Sequence, residues 1–65
     1  MLDKFEGCNV VVHAINNNIF RGKVIDYISE VDSDDGKDSI IIRDIQAGKL
    51  IAFHRKDIKT IETIK

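Results

Sequence analysis

Residues 10–27 read VVVHAINNNIFRGKVIDY. Two runs rich in β-branched residues flank three asparagines. Stiff β-branched side chains suit a pleated surface better than a helix. The first run predicts a strand over residues 9–15. Val10, Val12 and Ala14 share one parity; Val11, His13 and Ile15 share the other. Both faces carry apolar groups, which implies a strand covered on both sides or set at a subunit contact. Asn16, Asn17 and Asn18 predict a tight turn, because asparagine tolerates left-handed backbone. A longer strand is then expected over 19–30, with Phe20, Gly22 and Val24 on one face. Gly22 has no side chain to pack there. A glycine inside a strand marks a bend or a close backbone approach. After Val24 the alternation blurs, as it does where a strand curls or carries a bulge.

The rest of the chain continues the pattern. An acidic loop (32–38) precedes SIIIRDI at 39–45, a strand with Ile40 and Ile42 on one face. A turn at Gln46–Gly48 leads to a fourth strand over 49–54, and Arg55–Asp57 is a short link. Ile58, Ile61 and Ile64 recur every third residue, a spacing that neither an ideal strand nor an ideal helix explains. One reading is a 3₁₀ turn containing Ile58 followed by a short strand through Ile61; a C-terminal helix competes with it. Leu2 and Phe5 are spaced to form one helical turn. Five short strands, one bent at a glycine, predict a small closed all-β barrel in a single domain spanning 1–65. Closure would remove edges that an isoleucine-rich sheet cannot safely leave open.

Bulk properties narrow the function. A chain of 65 residues holds one small core. The lone cysteine, Cys8, allows no internal disulfide and has no base beside it in sequence, so a structural thiol is expected. The N-terminal MLDKFEG lacks the features of a signal peptide, and no apolar run approaches membrane-spanning length. A cytoplasmic protein with no membrane contact is the expectation. The net charge of −1 hides an asymmetry: residues 26–38 hold six acids and one base, whereas 49–65 hold five bases and two acids.

The acidic stretch VDSDDGKDS (31–39) invites a calcium-loop reading, which its spacing argues against. With Gly36 at the sixth position of an EF-hand loop, Val31 falls at the first and Ile42 at the twelfth, and neither can supply a ligand oxygen. Turn chemistry accounts for the same residues. His13 and His54 sit on separate strands without a triad partner, and with one cysteine they make no metal-ligand spacing. No phosphate-binding glycine loop is present. No enzyme activity, metal or cofactor is therefore expected.

Two motifs carry a family resemblance. VVVHAINNNIFRGKVIDY is similar to the first Sm motif, an apolar strand, a polar turn, then apolar-x-Gly-x-apolar (Phe20 to Val24). LIAFHRKDIKTI (50–61) resembles the bacterial Hfq form of the second motif, with Arg55 and Lys56 as its basic pair and Ile58 and Ile61 as its apolar pair. Together they cover about residues 2–62. The chain thus resembles the Sm-like (LSm/Hfq) family, whose fold is a five-stranded, strongly bent SH3-like barrel with a short N-terminal helical segment. The resemblance implies a homo-oligomeric ring joined by fourth-to-fifth strand pairing, and single-stranded RNA at its pore. Carried over by position, RNA contacts would fall on His54, Arg55 and Lys56. Arg21, Lys23 and Asn17 are further candidates as cations and a hydrogen-bonding group. The loop after the second strand departs from the family, because it is acidic and has no aromatic for base stacking. A weaker resemblance to Rof-type Sm-like proteins implies the alternative, a module binding a basic protein partner through Asp32, Asp34, Asp35 and Asp38.

Overall fold

The computed structural model describes residues 2–32 and 36–64. Five strands form one antiparallel sheet: β1 (Asn9–Ala14), β2 (Ile19–Ile28), β3 (Ser39–Asp44), β4 (Leu50–His54) and β5 (Ile58–Thr63). Their spatial order is β4-β3-β2-β1-β5. A 3₁₀ turn, Leu2–Phe5, precedes them, and a second, Arg55–Asp57, joins β4 to β5. The all-β expectation and the N-terminal helical turn agree with this architecture. No helix among the described residues is long and apolar enough to cross a membrane.

The asparagine turn forms as its chemistry dictates. Asn17 adopts φ 71°, and the Asn16 side chain accepts the Asn18 N–H at 3.1 Å. The inward parity then holds along the hairpin: Val10, Val12 and Val24 have no solvent exposure. Ile40 and Ile42 from β3 and Phe53 from β4 complete this core, with Leu2 and Phe5 folded over it.

Two bulges explain the places where alternation fails. Val24 pairs with Ile42 but Asp26 pairs with Ile41, so Ile25 is the extra residue of β2. His13 pairs with Thr60 but Ala14 pairs with Ile58, so Lys59 is the extra residue of β5. A bulge resets side-chain parity. That is why Ile58 and Ile61, three apart, both pack against the core. The C-terminal helix is thereby excluded, and Ile58 opens β5 instead of lying in the 3₁₀ turn.

The sheet is strongly curled. Phe53 is level with Tyr27 across the ladder, through Ile40. Phe20 lies seven residues back along β2, about 23 Å away in a flat strand. Yet the Phe20 and Phe53 rings meet edge to face with centroids 5.1 Å apart. Only a sheet folded back on itself brings them together. The bulge at Ile25 lies between these two levels of β2. At Gly22 the β3 backbone comes so close that there is no room for a side chain: an added Cβ would overlap the Arg43 carbonyl oxygen and lie 2.8 Å from its carbon.

The closure expected from sequence is not completed by strand pairing. β4 and β5 are the two ends of the sheet order. β5 is instead drawn onto β1: Ile15 N–H donates to the Asp57 carbonyl at 3.0 Å, and Ile64 N–H to that of Asn9 at 2.8 Å. The 3₁₀ turn carries the chain between the two edges without joining them.

Candidate nucleic-acid interface

The candidate RNA contacts divide into two groups. Arg21 and Lys23 alternate with Phe20, Gly22 and Val24, so they project from the solvent face of β2, where both are exposed. Lys23 stands directly opposite Arg43 of β3. Arg43 was not singled out in the sequence. Its place on the face opposite Ile40 and Ile42 was readable, but the burial that makes that face outward and the register that sets it against Lys23 were not. Neither Arg21, Lys23 nor Arg43 has an ion-pair partner among the described residues. Like charges directly opposite one another destabilise a sheet pair. Exposed Ile19, Ile45 and Leu50 lie around these cations, and Ile45 N–H donates to the Arg21 carbonyl at 2.9 Å. Asn17, at the exposed tip of the β1–β2 turn, is near the Arg21 end of this face.

The second group, His54, Arg55 and Lys56, lies elsewhere. His54 pairs with Ser39, four residues along β3 from Arg43, or about 13 Å at strand spacing. The structure therefore does not bring the basic link together with Arg21 and Lys23. Lys56 is exposed. Arg55 is committed inward: its Nε donates to the Asp38 Oδ1.

Asp38 is the correction to the acidic-loop reading. It was expected at the surface to meet a partner, but its side chain has no exposure at all. Its Oδ2 accepts the Leu2 N–H at 3.1 Å and the Tyr27 hydroxyl at 3.2 Å. Its own carbonyl accepts the Arg55 N–H at 3.1 Å. One carboxylate thus ties the N-terminal turn, β2 and the β4–β5 link together. Burial without partners would be costly for a charge, so all its bonds are satisfied internally. The Arg55 hydrogen bond holds the Asp38 carboxyl below its ordinary pKa against the opposing effect of burial. Burial, and then the Asp38 carboxylate, raise that of the Tyr27 hydroxyl. Composition alone could not separate Asp38 from its neighbours. Its position just before the buried strand β3 was the available signal.

Of the remaining acids, Asp32 is exposed and its Oδ2 accepts the Ser29 hydroxyl at 3.2 Å. Asp34 and Asp35 lie outside the described residues. Among the described residues no cluster of three or more His, Cys, Asp and Glu side chains could hold a metal ion. A comparison with family models, with curated proteins and with solved structures finds no match to this chain.

Proposed function

We propose that the protein is a non-catalytic module that binds single-stranded RNA on the solvent face of β2 and β3. Arg21, Lys23 and Arg43 hold successive phosphates. The observation that carries the reading is the Lys23–Arg43 pair, two cations set directly opposite each other with no neutralising acid paired to either among the described residues. A polyanion relieves that repulsion and releases its own counterions on binding. Ile19, Ile45 and Leu50, each more than half exposed, offer aliphatic surface for unstacked bases beside the phosphate contacts. RNA is favoured over other polyanions by the Sm-motif resemblance of residues 10–27 and 50–61. One chain carries all three cations, so this mode does not require an oligomer.

The test is fluorescence anisotropy with a labelled oligouridine across a salt series. Replacing both Lys23 and Arg43 with glutamine should weaken binding uniformly across sequences. It should also reduce the salt slope by about 1.4, since each single-strand phosphate contact contributes about 0.7. Lys56→Ala should change the slope by half that or less. A slope unaffected by the double replacement but lost with Lys56→Ala would move the site to the β4–β5 link.

A further inference from the structure

The free edge of β5 has a chemistry of its own. Ile64 N–H bonds to the Asn9 carbonyl, so Asn9 and Ile64 form a hydrogen-bonded pair across β1 and β5. Such pairs alternate along an antiparallel ladder with pairs that exchange no bonds. Val11 with Glu62 is thus bonded, whereas Val10 with Thr63 and Val12 with Ile61 are not. The main-chain N–H and C=O of Ile61 and Thr63 therefore point away from β1, toward the open edge. Any strand added there would pair with these two residues.

The same edge borders a groove of about 310 Å³ lined by Leu2, Lys4, Phe5, Arg55 and Ile61. A residue placed opposite Ile61 shares its face, and so delivers its side chain to this groove. The floor is apolar, from Leu2, Phe5 and Ile61. The rim is cationic. Arg55 already bonds Asp38, but Lys4 is exposed, with its Nζ 5.3 Å from the Phe5 ring centroid. Among the described residues Lys4 has no carboxylate partner and no carboxylate lines the groove. Residues two apart on a strand share a face. An apolar side chain in the groove therefore places the side chain two positions away along the same rim.

We propose that the β5 edge docks an extended segment of another protein, in which an apolar residue is flanked two positions away by an acidic one. Main-chain bonds to Ile61 and Thr63 hold the segment. The apolar side chain fills the groove against Leu2 and Phe5, and the carboxylate meets Lys4. This is strand addition, in which the backbone gives affinity and alternate side chains give specificity. A second copy of this chain is a poorer occupant. Its own free edge, β4, reads LIAFH and brings no acid to Lys4. Nucleic acid is poorer still, because it does not present alternating donors and acceptors at strand spacing.

The probe is a synthetic peptide with threonine at every second position and valine and glutamate alternating between them. Its twin carries lysine in place of glutamate. Amide hydrogen exchange and NMR titration of the whole chain read the site. The acidic peptide should protect the Ile61 and Thr63 amides and leave those of Thr60 and Glu62, already bonded to β1, little changed. Lys4→Glu should weaken the acidic peptide by about five- to tenfold, as expected when one exposed attraction becomes a repulsion, and should favour the lysine twin. Lys4 is exposed, so this variant leaves the core intact. Equal binding of both peptides would overturn the proposal. So would protection of Ile61 and Thr63 by an oligonucleotide, or protection without any peptide in a particle of several chains.

Discussion

Gly22→Ala should be the most damaging single-methyl change in this protein. The added Cβ would overlap the Arg43 carbonyl oxygen of β3 and sit 2.8 Å from the Arg43 carbonyl carbon. The obstruction is main chain in a paired strand, so no side-chain rotation relieves it. β2 and β3 must therefore separate at this point, where Gly22 pairs with Asp44. The disturbance falls two residues from Phe20, whose ring meets Phe53 edge to face. Overpacking in cores costs about 1–3 kcal/mol and occasionally more. A rigid backbone neighbour places this case at about 3 kcal/mol. A chain of 65 residues has a total stability of roughly 3–10 kcal/mol. The variant should therefore lose a large share of its stability, read as a lower urea midpoint, or fail to accumulate as folded protein. An alanine variant with a wild-type midpoint would show that the two strands are not packed this closely.

The second large effect concerns Asp38. Asp38→Ala removes the acceptor shared by the Leu2 N–H, the Tyr27 hydroxyl and the Arg55 guanidinium. The Arg55 side chain is 41% exposed, so it recovers water, and the full penalty for an unpaired buried charge does not apply. The Leu2 N–H is less fortunate, because Leu2 is buried. The expected loss is about 2–3 kcal/mol, from an unsatisfied buried donor plus lost charge-assisted bonds. The sign of the pH dependence follows from the lowered folded-state pKa of Asp38. The unfolded chain binds this proton more readily than the folded one. The stabilisation is therefore complete above the ordinary carboxylate range, and it is lost as the pH falls through that range to the lower folded value. Asp38→Asn keeps the shape and an acceptor oxygen but removes the charge. Urea midpoints measured across acidic pH should fall less steeply for Asp38→Asn than for the wild type. Parallel curves would assign the acid sensitivity to other carboxylates.

These two positions also change how the functional candidates are weighed. Asp38 and Arg55 came from opposing readings, one as a protein contact and one as an RNA contact. In the folded chain they bond to each other. A replacement at Arg55 that weakens RNA binding would accordingly report disruption of the Asp38 junction as well as loss of a phosphate contact. Lys23 and Arg43 are cleaner probes, since they take no part in that junction and lie on the solvent face.

The sequence alone determined the first four strands and their order along the chain, the asparagine turn, and the shared faces of Val10 with Val12, Phe20 with Gly22 and Val24, and Ile40 with Ile42; it left the fifth strand open against a helix. These follow from local rules: β-branched residues at a period of two, turn residues with permitted backbone angles, and a glycine where a side chain would clash. Parity also set Arg21 and Lys23 opposite Phe20, Gly22 and Val24, and the burial of Val24 in the folded chain makes theirs the solvent side. The tertiary structure alone decided which strands meet and at what register. Register set Arg43 opposite Lys23, and it assigned Ile25 and Lys59 as the extra residues that reset parity. It left β4 and β5 as separate edges, although the sequence suggested closure. It also buried Asp38 while Asp32, in the same acidic run, stayed exposed. Composition gives these two aspartates the same meaning. Asp38 differs because the curled sheet brings the N-terminal turn and the β4–β5 link, distant in sequence, to the place where the chain enters β3. A carboxylate at that junction finds enough donors to leave water, and local sequence holds no record of donors supplied from the far ends of the chain.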